Sequence, residues 1–136
     1  MVIGVLIIGS VCLWVLPETR STASITFEDG QQIEVVISDD DAERAQGLAG
    51  VESLTDEEGM LFLHDNREVR SYWMKGMVIP IDIIWIDGEE VVGVVEGVQV
   101  ELTGELTTYE SPVPANRVLE VRAGFVKDHG VSVGER

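Results

Sequence analysis

The sequence predicts a mainly β domain with one short helix (an α+β class), packed as a compact antiparallel barrel or sandwich and preceded by an apolar N-terminal segment. Three observations predict it. Asp29-Gly30 and Asp87-Gly88 each separate runs rich in β-branched residues, and glycine supplies the positive φ that a tight hairpin needs. Ile81 to Ile86 is a continuous apolar run, which suits a strand covered on both faces. Only Asp39 to Leu48 combines acids at a helix start with a glycine at its end.

Taken in order, Ile25 to Phe27 and Ile33 to Ile37 form the first hairpin. Ser38 or Asp39 then caps the short helix, which Gly47 and Gly50 terminate. Thr55 to Gly59 reads as a turn into a buried strand, Met60 to Leu63, and Val69 to Met74 reads as another. Pro80 opens the Ile81–Ile86 strand, and Asp87-Gly88 turns the chain into Val91 to Val95. Val98, Val100 and Leu102 alternate with polar residues, as do Val118 and its neighbours in Arg117 to Arg122, so each predicts a half-buried strand. Ser111 to Ala115, with two prolines, reads as a rigid surface loop. Ala123 to Gly130 has room for a helical turn or two before Val131 to Val133. The count is eight or so short strands with no βαβ rhythm, and closing or sandwiching the sheet limits its exposed edges.

The length of 136 residues accommodates one domain. Residues 1–23 read as a signal peptide or membrane anchor, and residues 24–136 as a single β-rich domain. Val2 to Leu16 carries no charge, and as a helix it would span about 23 Å, short of the roughly 30 Å hydrocarbon core. That favours an export signal, with cleavage after Ala23 in Ser21-Thr22-Ala23. If uncleaved, residues 1–16 would hold the chain at a membrane. No Lys or Arg precedes the run, whereas Arg20 follows it, which weakly favours a cytoplasmic domain. The expected location is extracytoplasmic, secreted or membrane-anchored.

Charge excludes one class of function. Twenty-five acids face nine Lys and Arg, only two of them lysines, for a net charge of −16. Such a chain repels nucleic-acid phosphates, so no nucleic-acid partner is expected. A solvated surface is the simplest account of the acidity, ahead of a high-salt habitat and of specific cation binding. The single cysteine, Cys12, lies in the apolar segment, so the domain itself has no thiol for a disulfide, a metal or nucleophilic attack.

The densest segment runs from Tyr72 to Trp85 and contains Trp73-Met74-Lys75, Ile79-Pro80 and Ile81-Asp82-Ile83-Ile84-Trp85. With Glu43 to Leu48, Glu58 to Phe62, Tyr109-x-Ser111, Val118-Leu119-Glu120 and Val131 to Glu135, it resembles domain-of-unknown-function family 192 over about Ile33 to Glu135. The resemblance implies a compact β-rich domain, often behind a signal or lipid anchor, and transfers no catalytic residue. Two departures stand out: Gly76-Met77 where the family has Asn-Thr, and Ala49-Gly50-Val51 where it tends to have Met and then a basic residue.

Trp73, Phe62, Ile81, Ile83 and Trp85 are most simply core. Lys75 and Asp82 flank the Pro80 turn and suit an ion pair or a ligand contact. Arg44 has Asp40 and Asp41 nearby in its own helix, or reaches Glu58 or Asp82 and locks the helix onto the sheet. The leading expectation is a non-catalytic small-ligand-binding or accessory module, with Arg44, Glu58, Trp73, Lys75, Asp82 and Tyr109 around a shallow pocket for a small polar, anionic or sugar-like ligand. The alternative is a carboxylate-based hydrolase using Asp82 and Glu58, with Lys75 as electrostatic stabiliser. Third is a copper-handling module built from His64, His129, Met60, Met74 and Met77, although those methionines fit core filling better. A His64–Asp82–Ser111 triad has no support from spacing. No cofactor is expected, and no zinc, calcium or phosphate-loop pattern occurs.

Overall fold

The computed structural model describes residues 2–5 and 20–136. Cys12 and most of the apolar run lie outside the described residues. In chain order the elements are β1 (Val2–Val5), β2 (Thr22–Thr26), β3 (Gln32–Ser38), α1 (Asp41–Gln46), β4 (Glu58–Glu68), β5 (Ser71–Trp73), β6 (Ile81–Asp87), β7 (Glu90–Val98), β8 (Thr108–Glu110), β9 (Ala115–Arg122) and α2 (Phe125–His129). Seven strands form one sheet in the order β1-β2-β3-β4-β9-β6-β7, and β5 pairs with β8 in a separate two-stranded ribbon.

Both Asp-Gly hairpins form as expected. Ile25 pairs with Ile33 across the first and Asp87 with Glu90 across the second, with positive φ at Gly30 and Gly88. The helix also forms, although its cap is Asp40, whose carboxylate accepts from the Glu43 N–H at 2.7 Å.

Four expectations need correction. The sheet is open rather than a barrel, because β1 and β7 lie at opposite edges. It is also mixed, because β3 and β4 run parallel, Val35 opposite Gly59 and Ile37 opposite Leu61. The connection between them is a crossover that carries α1, a βαβ unit hidden by the shortness of its helix. The helical turn or two expected within Ala123 to Gly130 forms as α2, so the domain has two short helices rather than one. The Val98–Leu102 alternation ends at Val98, the last residue of β7, and Leu102 is 85% exposed. Residues 99–107 carry the chain from β7 to β8 without strand pairing, so the apolar spacing there belongs to a loop.

The physical reason for an open sheet lies in its central strands. Successive side chains of a strand point to opposite faces, and here both sets are apolar. Ile84, Ile86, Leu119, Val121, Leu61 and Val35 face one side, where Phe125, Val126 and Val131 from α2 and the chain after it cover them. Ile83, Trp85, Val118, Met60, Phe62 and Val36 face the other, under Leu48, Met74 and Met77. A layer apolar on both faces needs a cover on both, which a closed barrel would not provide.

At the N-terminus, β1 pairs with β2, Ile3 opposite Ile25, so the first described residues form an edge strand of the sheet. Ala23, the expected cleavage point, is buried in β2 opposite Val35. The Arg20 guanidinium approaches Glu43 of α1 at 3.5 Å. No helix among the described residues is long and apolar enough to cross a membrane.

Candidate functional site

The face covered by Leu48 and Met77 contains a pocket of about 250 Å³ between α1, β4 and β5. Phe62, Leu48 and Met77 supply apolar wall, and Arg44, His64, Tyr72, Trp73, Lys75 and Glu120 supply the polar and aromatic lining. Chain direction explains the convergence. The parallel crossover lays α1 over β4, and the chain leaving β5 turns back past the end of that helix.

Arg44 fastens the crossover. One guanidinium nitrogen donates to the Asp39 carbonyl at 2.7 Å and to the Leu63 carbonyl of β4 at 2.8 Å, while the other meets Asp41 at 2.8 Å. The expected helix-to-sheet lock exists, but its acceptor on the sheet is backbone rather than Glu58 or Asp82. Gly47 ends the helix with φ of +49°, close enough to the Phe62 ring that a Cβ would lie 3.3 Å from it.

Glu120 lies on β9, between Met60 of β4 and Ile83 of β6, near the middle of the sheet. It is buried, lines the pocket, and makes no hydrogen bond or ion pair among the described residues. Desolvation pushes its carboxyl up to about 8, so it is mostly protonated at neutral pH. The His64 Nε2 lies 2.8 Å from the Tyr72 hydroxyl. Burial, and then the charges of Arg70 and Arg44, push the imidazole down to about 4, which keeps it neutral. The Tyr72 phenol is raised, first by burial and then by Glu120, and stays protonated. The deep polar groups are therefore three uncharged hydrogen-bonding side chains.

At the mouth, Trp73 is 50% exposed, which corrects its assignment to the core. As the last residue of a three-residue strand in the small ribbon, it presents its indole to the pocket, and the Lys75 ammonium lies 5.3 Å from the ring centroid. Phe62 and Trp85 are core on this face, as expected, with the Tyr72 ring against both at 5.1 and 5.6 Å. The two departures from the family pattern are neighbours. Gly50 donates to the Gly76 carbonyl at 3.0 Å, and a Cβ on Gly76 would stand 3.1 Å from that of Ala49.

Of the six expected site residues, Arg44, Trp73 and Lys75 share the pocket. Tyr109 pairs with Tyr72 across the ribbon but packs on the core side of it. Glu58 and Asp82 are both buried but on opposite faces of the sheet, Glu58 on the Met60 side and Asp82 on the Ile84 side. Asp82 accepts from the Gly97 N–H at 2.7 Å and the Val126 N–H at 2.9 Å, which ties the end of β7 and the start of α2 to β6. It is neither beside Glu58 nor paired with Lys75, so the two carboxylates do not share a cleft.

The soft-metal set is equally dispersed. Met60, Met74 and Met77 fill the core, His64 faces Tyr72, and His129 bridges Asp29 and Asp56 at 2.7 and 2.8 Å beyond the other face. Ser111 accepts from the Arg70 N–H at 2.9 Å, which leaves the paper triad unassembled. Sequence reasoning passed over Glu120, Tyr72 and Phe62 as site residues. Its available signal was an acid between Leu119 and Val121 in a strand that is apolar on both faces.

A small α+β domain, with a two-sided open sheet and an aromatic-walled pocket on its crossover side, is the class that this geometry defines. The chain belongs to domain-of-unknown-function family 192, described as an uncharacterized ACR, whose model matches residues 24–136. None of the curated proteins matches it. A crystal structure of a protein of unknown function from Novosphingobium aromaticivorans is similar, with a TM-score of 0.76 and 27% identity over 86% of this chain and 83% of that one. Another, from Sinorhizobium meliloti and proposed as a transcription regulator, has a TM-score of 0.76 and 26% identity over 87% of this chain and 92% of that one.

Proposed function

We propose that the domain is a non-catalytic small-ligand-binding or accessory module, exported or tethered to a membrane, whose ligand occupies the pocket above Glu120. The observation that carries this reading is the Glu120 carboxyl itself, which lines the pocket from a residue only 4% exposed and makes no hydrogen bond among the described residues, while its oxygens are not among the fully buried unpaired atoms and so open onto the pocket. A polar group in so largely desolvated a position is poorly solvated, and a ligand able to hydrogen-bond with it improves on that solvation. Four separate chain segments supply the lining: the α1 region, β4, the β5 region and β9. Export or tethering is supported by the uncharged run Val2 to Leu16.

Thermal-shift screening with sugars, small carboxylates and cell-wall fragments tests the binding reading. A ligand should raise Tm in the wild type and do so less in Lys75→Ala and Trp73→Ala. If nothing in the screen moves Tm, and both variants behave as ordinary surface changes, the reading fails. Cell fractionation with intact-mass measurement tests location, and full-length protein in the cytoplasmic fraction would count against export. The role proposed for the Sinorhizobium meliloti protein finds no support here in charge, since 25 acids outnumber nine bases and disfavour a nucleic-acid surface.

A further inference from the structure

We propose that the pocket takes a small organic monocarboxylate with a flat apolar body, its carboxylate gripped by Lys75 and by the carboxyl of Glu120. This inference rests on the ligand-binding reading above and narrows it to one ligand class.

The argument begins with charge. The protein as a whole carries −16, yet among the described residues Glu120 is the only acid lining the pocket. The other charged and titratable residues of the lining are Arg44 from α1, His64 from β4, Tyr72 from β5 and Lys75 from the turn that follows, with Asp41 on Arg44 and with Arg70, Asp65 and Glu68 close enough to act on His64. Glu120, His64 and Tyr72 are uncharged at neutral pH, for the reasons of burial given above. Asp41 offsets Arg44 at 2.8 Å, so the unpaired charge of the lining is the Lys75 ammonium, the reverse in sign of the overall charge. An anion is favoured there and an amine opposed.

The two cations differ in availability. The Arg44 guanidinium is committed to two carbonyls and Asp41. Lys75 makes no ion pair among the described residues and rests over the Trp73 ring. A protonated carboxyl is also a strong donor to a carboxylate oxygen, a charge-assisted bond. A sugar would satisfy Glu120 but leave the Lys75 charge unused.

The remainder of the lining sets the body of the ligand. Leu48, Phe62 and Met77 are buried apolar walls, and the Trp73 indole adds an accessible aromatic surface. About 250 Å³ leaves room for one ring and a carboxylate, since a cavity of roughly 150 Å³ takes benzene.

Isothermal titration of the full chain with benzoate tests the proposal, with benzylamine, benzyl alcohol and methyl glucoside as comparison arms. Benzoate should bind, with an affinity steady up to about pH 8 and falling about tenfold per pH unit beyond it as Glu120 ionises. Lys75→Met should weaken benzoate by about tenfold or more while leaving benzyl alcohol unchanged. Glu120→Gln keeps the shape and a donor, so it should retain binding and lose the decline above pH 8. Preference for benzylamine, tightening as pH rises, would overturn the proposal in favour of an amine site. Binding of the alcohol or the sugar with benzoate silent would also overturn it, while sparing the broader ligand-binding reading. If no arm binds and the broad thermal screen is silent as well, both fail. Unchanged benzoate binding in a folded Lys75→Met protein would sink the assigned grip.

Discussion

Asp82 and Glu120 are buried acids on adjacent strands, and they face opposite sides of one sheet. Asp82 stands opposite Val121, and Glu120 stands opposite Ile83, the residue after Asp82. Burial is nearly the same for the two, at 0% and 4% exposure. Their partners are not. Asp82 has two backbone amides within hydrogen-bond distance, and it organises the seam between β7 and α2. Glu120 has an opening in front of it and meets the cost of desolvation by holding its proton. The difference teaches that an acid in an apolar strand is ambiguous until its donors are known: Asp82, with two amides, is structural, and Glu120, without them, lines a pocket.

The strongest way to break that comparison is to delete the satisfied acid. Asp82→Ala leaves two buried amides without an acceptor and should cost about 3–5 kcal/mol in urea denaturation. A loss below about 1 kcal/mol would show that the amides find other partners and that Asp82 is not the fastener described.

Glu120 should behave in the opposite way. Its folded-state pKa of about 8 lies above the ordinary 4.5, so the native state binds the extra proton between those values. Stability from this group is full below 4.5 and declines as pH rises toward 8, by on the order of 1 kcal/mol per pH unit. Glu120→Gln should flatten that slope and be the more stable protein near the upper end. Parallel slopes for wild type and variant would mean that Glu120 is ionised in the folded protein across the range.

Trp73→Ala sharpens the contrast between pocket and core. A core indole would cost about 3–5 kcal/mol on truncation. Half exposed, Trp73 should cost about 1 kcal/mol or less, including its contact with Lys75. A loss in the core range by thermal or chemical denaturation would return it to the core.

The smallest effect belongs to the cluster beyond the sealed face, where His129 bridges Asp29 and Asp56, and Arg122 joins Asp56 to Asp128. Desolvation opposes the imidazolium, but the two carboxylates outweigh it and raise His129 above its ordinary 6.5. Asp29 is lowered, first by the Gln31 N–H and then by His129. Asp56 is also lowered, because His129 and Arg122 overcome its own desolvation. The His129 contribution is present below 6.5 and is lost as pH climbs through its raised value. The carboxylate contributions are present above 3.8 and are lost as pH falls through their lowered values. His129→Asn should therefore cost less than about 1 kcal/mol, with the difference greatest between those limits. A difference that grows above pH 8 would contradict this sign.

Much of the secondary structure was legible because it is local. Asp29-Gly30 and Asp87-Gly88 set hairpins through backbone conformation alone, and the Ile81–Ile86 run announced a two-sided strand. The parallel pairing of β3 and β4 was not legible, because α1 is too short to display a helical period. The site was half legible. Arg44 and Lys75 stood out as scarce cations in distinctive segments, and both line the pocket. Asp82 stood out as an acid inside the apolar run of the same distinctive segment as Lys75 and proved to be a fastener for two backbone amides, because nothing local tells which face an acid occupies when both faces are apolar. Glu120 was hidden by an ordinary-looking alternation whose register with β4 and β6 is a long-range fact.

The parallel crossover also bears on the order in which the molecule assembles. A helix of six residues does not hold its shape alone in water, so α1 acquires its form only when Arg44 reaches the Leu63 carbonyl of a strand already in place. Pairing β3 with β4 must first close the long intervening segment, a slow kind of contact to make. The pocket wall is then among the last parts to mature, and a molecule seated in it would protect the α1 amides from hydrogen exchange before those of the hairpins.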